Sequence, residues 1–308
     1  MNNTIRVLNF DDSVIKQKKL LERYRAEIIN VKDIASQARF WLNKKTKKEI
    51  ARRTSFSSKN SVTFLGSGDF HHISSILIDE VIEPVTVINF DFHPDWCVFP
   101  PWLSCGSWIT ETLKNPNVEK AVLLGMGPQE TLSFSLQAGN YASLKNDRVE
   151  IYPWEQCPSI ACFPKIPKNK SITTETRGIY TKICWNELKD KNLTEFLLNI
   201  IKELPVKRVY ISIDKDCLQK QDSLTNWQEG RVSLESLVLM LKLFKQETDI
   251  VGANVTGDYS EVFIQNMVKS VVSQLDHPNK FSAKDFSESE IIRINERTNL
   301  EIMKVLIK

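Results

Sequence analysis

Three short stretches of the sequence concentrate side chains able to bind a cation. Asp91, His93 and Asp95 follow the apolar run Val87-Ile88-Asn89-Phe90 as Asp-x-His-x-Asp. On an extended chain residues i, i+2 and i+4 project to one face, so all three leave the strand's end on the same side. Asp214 and Asp216 repeat the pattern after Arg208-Val209-Tyr210-Ile211-Ser212-Ile213. The third stretch, Gly66-Ser67-Gly68-Asp69-Phe70-His71-His72, closes the run Thr63-Phe64-Leu65. Its glycines permit a sharp turn, with either His71 or His72 at the turn's mouth. Three of the chain's 4 histidines fall in these stretches, which favours a metal over scattered surface placement.

Ionisable groups sharing one face have no place in a dry core unless paired or metal-bound. Carboxylates a few ångströms apart repel one another, and divalent cations remove that repulsion. A set rich in carboxylate, with one or two imidazoles and no obligatory thiolate, suits Mn²⁺ best, while Zn²⁺ and Fe²⁺ also fit. Five or six ligands exceed what one tetrahedral zinc uses, so two ions are expected rather than one. The chemistry such a pair supports is hydrolysis by a metal-activated water.

The elements that must carry these groups are short apolar runs at 62–65, 85–90, 121–124, 149–152, 179–184, 209–213 and 250–255. Candidate helices lie between them at 73–82, 106–113, 193–204 and 234–244. Runs too short for helices, alternating with helices, predict βα units and a mainly parallel sheet buried on both faces. Ligands then bind at the C-terminal strand ends, where the three stretches fall. Leu20, Leu21, Tyr24, Ile28 and Ile29 recur at helical spacing, so residues 1–60 read as a mostly helical extension ahead of an α/β domain at 61–308. The tail after Glu261 reads as helical, broken at His277-Pro278-Asn279.

The 308 residues carry 41 basic and 38 acidic side chains, a net charge of +3 that gives no general bias toward polyanions. Residues 1–60 are the exception, with 15 basic against 6 acidic residues, yet no aromatic-interleaved motif or zinc finger supports nucleic-acid binding. No apolar run is long enough to span a bilayer, and the N-terminus lacks signal-peptide design. The 6 cysteines, with no C-x-x-C pair, read as reduced thiols of a cytoplasmic protein. A small-molecule substrate is expected, and homo-oligomers are compatible with the sequence.

The order Gly-x-Gly-Asp-x-His, Asp-x-His-x-Asp, Ser-x-Asp-x-Asp resembles the arginase/agmatinase (ureohydrolase) superfamily over roughly residues 62–260. The resemblance implies a three-layer α/β/α fold and a dinuclear manganese centre. By position, Asp91, His93, Asp95, Asp214 and Asp216 match the metal motifs, Asp91 and Asp214 as the bridging carboxylates. Phe70 separates the early Asp from the histidine pair, so His71 and His72 both remain candidates, the apolar spacing of Ile73 and Leu77 favouring His71. Gly230-Arg231-Val232-Ser233-Leu234 is similar to the family's Gly-Gly-Leu-Ser helix start, with Ser233 as N-cap.

Three departures accompany it. Cys217-Leu218 replaces the family's Asp-Pro, and Cys105-Gly106 stands where amidine-hydrolysing members carry the proton-shuttling His-Gly. Gly257 occupies the position of the guanidinium-binding Glu, with Asp258 beside it. Cys105 is therefore the candidate proton shuttle and Asp258 the candidate contact to a cationic or hydrogen-bond-donating substrate group. Trp96, Trp102, Trp108 and Trp227 fall on the same loops and could line a pocket. The expected activity is hydrolysis of a C–N bond in an amide or amidine. A single-metal, deacetylase-like site of Asp91, His93 and Asp214, or a catalytically silent metal-binding scaffold, are the alternatives.

Overall fold

The computed structural model describes residues 4–307 except 56–61, 100, 132–137, 158, 162–165, 263, 265–267 and 272–284. The break read at 277–279, the thiol of Cys162 and most of the polar loop after Thr54 lie outside the described residues. The strands are β1 Thr4–Asn9, β2 Arg25–Asn30, β3 Val62–Gly66, β4 Val85–Phe90, β5 Val118–Leu124, β6 Val149–Tyr152, β7 Ser159–Ala161, β8 Ile172–Arg177, β9 Tyr180–Trp185, β10 Arg208–Asp214 and β11 Asp249–Thr256.

Eight of them form one sheet in the order β2-β1-β3-β11-β10-β4-β5-β6, and every pairing in it is parallel. β3 and β4 are buried along their whole length, as an unbroken apolar run requires. Alternation sends Phe64, Ile88, Phe90, Ile211 and Ile213 to one face, under the helices Leu193–Lys202, Leu234–Glu247 and Glu288–Leu306. Leu65, Val87, Ala121 and Leu123 face the other side, against Ile73, Leu77, Trp108 and Ile109. The result is the expected three-layer α/β/α arrangement.

Two readings are corrected. Residues 4–9 and 25–30 are not helical but supply the two strands at one end of the sheet, joined by the short helix Lys18–Arg23. Tyr24 turns extended after that helix, so Ile28 and Ile29 continue on a strand whose charged, half-exposed side chains mimic a polar helix face. Charged side chains are usual on such edges. The run at 179–184 is also outside the main sheet. It forms β9, the middle of a small antiparallel sheet in the order β7-β9-β8. Gly178 at φ +61° makes its hairpin turn, and the alternating burial of β9 contrasts with the fully buried β4.

The helix Glu288–Leu306 opens with a capping box between Ser287 and Glu290. Ser233 caps Leu234–Glu247 by accepting from Ser236 N. No helix among the described residues is long and apolar enough to cross a membrane.

Candidate metal centre

β3, β4 and β10 end at one edge of the sheet, and β10 pairs directly with β4. The chain leaves β3 through a tight turn in which Ser67 caps the short 3₁₀ helix Gly68–Ile73 by accepting from Asp69 N. A Cβ on Gly68 would lie 2.9 Å from Asp214 Oδ2 and 2.9 Å from Trp227 Cδ1, so only glycine lets these three segments close together. Phe70 stacks on Phe10 at 4.3 Å inside the core, and this fixes the rotation of the turn.

That rotation separates the two histidines. His71 Nδ1 lies 3.1 Å from Asp91 Oδ2, 3.3 Å from Asp95 Oδ2 and 3.4 Å from Asp214 Oδ2. His72 points elsewhere, with Nδ1 3.5 Å from Cys105 Sγ and Nε2 without a partner. Burial, with Lys269 near by, drives His72 down to about 3, so its ring stays neutral. Of the two histidines that the sequence left open, the structure brings His71 to the carboxylates and does not bring His72 there. A second group forms around His93, whose Nδ1 is 2.9 Å from Asp216 Oδ2 and 3.7 Å from Asp91 Oδ1. Asp91 is common to both ligand groups, whereas Asp214 falls in the first and Asp216 in the second.

One imidazole nitrogen cannot donate to three carboxylates at once. Ligand atoms roughly 3 Å apart are instead what a cation with bonds of about 2.1 Å gathers around itself. Asp91, Asp95, Asp214 and Asp216 are all buried, and two divalent cations would neutralise their four charges. Both imidazoles are oriented for this. His71 Nε2 is 2.8 Å from Ser212 Oγ, a hydroxyl that also accepts from Asn254 Nδ2 at 3.1 Å. His93 Nε2 lies 3.1 Å from Gln228 Oε1, which can only accept. With a cation bound, each ring can keep its proton on Nε2, toward Ser212 Oγ or Gln228 Oε1, and present the Nδ1 lone pair to the ion, an arrangement common around metal-ligating histidines. Asp95, at φ +47°, accepts from Trp108 Nε1 at 2.7 Å, which aims its carboxylate at His71. The donor set fits a pair of divalent ions.

Without a cation, protons take over that work. Burial opposes charge on His71, but Asp91, Asp95 and Asp214 outweigh it and hold the ring well above the usual range. Burial and the neighbouring Asp91 push Asp95 up to about 7. Asp214 and Asp216 are also raised, by burial and then by neighbouring carboxylates. Asp91 moves the other way, because His71 and His93 override its burial.

The two catalytic candidates are placed differently from expectation. Asp258 does not face the cluster. Its Oδ1 accepts from Lys215 Nζ at 2.8 Å and Gln17 Nε2 at 2.7 Å, and both side chains of the ion pair are fully buried. Asn299 Nδ2 closes the network at 3.3 Å, leaving no room for a substrate group. Cys105 Sγ donates to the Asp69 carbonyl at 3.3 Å. Without a cation, burial, with the carboxylates of Asp69, Asp95 and Asp214 around it, pushes its thiol well above the usual range.

Of the four tryptophans, Trp96 and Trp108 are core residues and Trp102 is half exposed. Trp108 packs against the cluster from the core, its ring 4.8 Å from that of His71, and the partly exposed Trp227 stands on the other side, its ring 5.3 Å from that of His93. Sequence reasoning did not single out Ser212 or Gln228, and it read Trp108 as a pocket-lining ring rather than as the donor to Asp95. Ser212 had a signal, since it precedes Asp214 by two on the same strand face, whereas Trp108 and Gln228 reach the site only through tertiary contacts.

No protein-family model matches the sequence. An uncharacterized protein of Thermotoga maritima is 27% identical over 197 residues, a stretch that covers 64% of this chain and 58% of that relative's length. Among solved structures, arginase from Bacillus subtilis superposes with a TM-score of 0.57 at 11% identity, covering 99% of this chain and 98% of that one. A Trypanosoma cruzi formiminoglutamase with Mn²⁺ gives 0.55 at 10% identity, covering 98% and 93%. The agmatine ureohydrolase of Thermoplasma volcanium gives 0.51 at 9% identity, covering 98% and 90%. The fold is that of the arginase-like ureohydrolases.

Proposed function

We propose that the chain is a metal-dependent hydrolase that cleaves a C–N bond, of amide or amidine type, in a small molecule. The observation that supports this most is the convergence of three aspartate oxygens on His71 Nδ1, beside a second group sharing Asp91. His71, Asp91, Asp95 and Asp214 would hold one divalent cation, and Asp91, His93 and Asp216 a second, Mn²⁺ suiting the carboxylate-rich set. Such a pair supplies Lewis acidity and brings the pKa of bound water to about 7. Ser212 and Gln228 hold the imidazoles in the tautomer that binds, and Trp108 fixes Asp95. The C–N bond is carried over from the names of the structural neighbours, arginase and agmatine ureohydrolase among them.

The substrate differs from theirs. A Cβ at Gly257 would lie 2.4 Å from Asp214 Oδ1 and 2.6 Å from Lys215 N, at a φ of +88°, so no glutamate can stand there. Asp258, the next acid, is held by Lys215 and Gln17. Manganese-loaded protein is therefore expected to release negligible urea from arginine or agmatine. Turnover of either at on the order of 1–10³ s⁻¹ would overturn this reading of the pocket. The proposal itself is tested by a panel of amides and amidines incubated with metal-loaded and metal-free protein. Metal-dependent release of amine or ammonia supports it. Bound metal that raises thermal stability, with no hydrolysis across the panel, contradicts it in favour of a scaffold.

Metal uptake should also depend on pH. Groups with raised pKa hold protons that a cation must displace, so affinity falls as pH drops. With Asp95 titrating at about 7 and His71 higher, adding Mn²⁺ to metal-free protein near neutrality should acidify a weakly buffered solution. An affinity that stays constant between about pH 5.5 and 8 would show that the ligands carry no such protons.

A further inference from the structure

Among the described residues, Trp227 is a large side chain against the cluster that keeps part of its surface open, whereas Trp108 is fully buried. It fills the space over Gly68, 2.9 Å from where a Cβ would be, on the side where Asp214 Oδ2 also lies. Its ring meets His93 edge-on at 5.3 Å and 71°. His93 is the most exposed residue of the cluster, its side chain 19% accessible against 7% or less for the others. Solvent thus reaches the cluster beside this indole.

The indole is held from several sides. Its Nε1 donates to Asp69 Oδ1 at 2.9 Å. The other oxygen of Asp69 accepts from the guanidinium of Arg39, and both members of that ion pair are buried. Arg39 lies over the Phe70 ring at 4.8 Å, and Phe40 abuts Trp227 at 6.2 Å. Thr225 Oγ1 accepts from Trp227 N at 3.1 Å. Asn226 is fixed by Ser260, accepting from its N at 3.0 Å and donating to its carbonyl at 2.8 Å. The buried Arg39–Asp69 pair thus fixes the direction of the indole N–H and with it the orientation of the ring.

We infer that Trp227, positioned by Asp69 and Arg39, is the specificity wall of the metal centre and selects substrates whose C–N group carries a planar aromatic substituent. This rests on the metal-hydrolase reading above. The exposed part of a pre-oriented indole can pack on a flat ring, and such pairing strengthens binding up to about tenfold beyond the area buried. A flexible alkylammonium chain gains less from it and finds no free carboxylate at 257 or 258.

The test uses manganese-loaded full-length protein and two chelating probes, benzohydroxamate and acetohydroxamate, with binding followed by calorimetry. Wild type should bind the aromatic probe about tenfold or more tighter than the aliphatic one. Trp227→Ala should bring the ratio close to one while metal content stays the same. Trp227→Phe, which keeps a ring but loses the N–H to Asp69, should fall between. An unchanged ratio in Trp227→Ala would overturn the inference, whatever the enzyme hydrolyses. A ratio that collapses as expected, in a protein that turns over none of the amide and amidine panel, would uphold the wall and refute the hydrolase. Protein that binds neither metal nor probe would refute both.

Discussion

Asp91→Ala is expected to empty the centre of metal, with affinity at both sites lowered by at least about 100-fold, beyond the usual cost of losing an outer-shell partner. Asp91 is the only residue in both ligand groups, with Oδ2 3.1 Å from His71 Nδ1 and Oδ1 3.7 Å from His93 Nδ1. Its oxygens are aimed by Asn89 Nδ2 at 3.1 Å and by the His93 amide at 2.8 Å. Asp216→Ala should instead remove the ion beside His93 and spare the other, since Asp216 lies in that group alone. Elemental analysis of both variants after dialysis against excess Mn²⁺ reads the difference. Full occupancy in Asp91→Ala would end the shared-carboxylate assignment.

Asp258→Ala is expected to cost about 3–5 kcal/mol of stability, the usual penalty for leaving a buried partner charge uncompensated. Lys215 is fully buried, and burial pulls its ammonium below the usual lysine range despite Asp258. The same carboxylate gathers Gln17 from the N-terminal segment and Asn299 from the C-terminal helix. Its loss therefore loosens both ends of the chain where they meet the turn after β10. Replacing both partners, as in Lys215→Met with Asp258→Leu, should recover much of the loss, because a hydrophobic pair avoids the desolvation penalty. Equilibrium unfolding of the metal-free proteins in denaturant measures this. A loss below about 1 kcal/mol in Asp258→Ala would mean the ammonium reaches water.

The contrast between Asp91 and Asp258 shows what the sequence carried. Asp91, His93 and Asp95 were legible because their spacing at a strand end fixes their direction locally, and an apolar strand leaves such charges only a few uses. Asp214 and Asp216 followed from the same rule. Asp258 has no such local signal. Its role is set by Lys215 and Asn299, 43 and 41 positions away, and by Gln17, 241 positions away. His71 and His72 were separable only through Phe70, whose packing on Phe10 decides which histidine faces the sheet. The parallel core was legible from buried runs such as β4, whereas β2 was hidden because an edge strand with a charged face imitates a helix. The Arg39–Asp69–Trp227 chain joins three distant segments and leaves no periodic trace.

The proposed dinuclear centre is tested most directly by anomalous scattering from crystals of manganese-loaded protein, recorded at the metal edge with the metal content of the same sample. Two anomalous peaks are expected, one against His71 Nδ1, Asp95 and Asp214, the other against His93 Nδ1 and Asp216, with Asp91 touching both. A single peak, or metal bound only away from these six side chains, would contradict it.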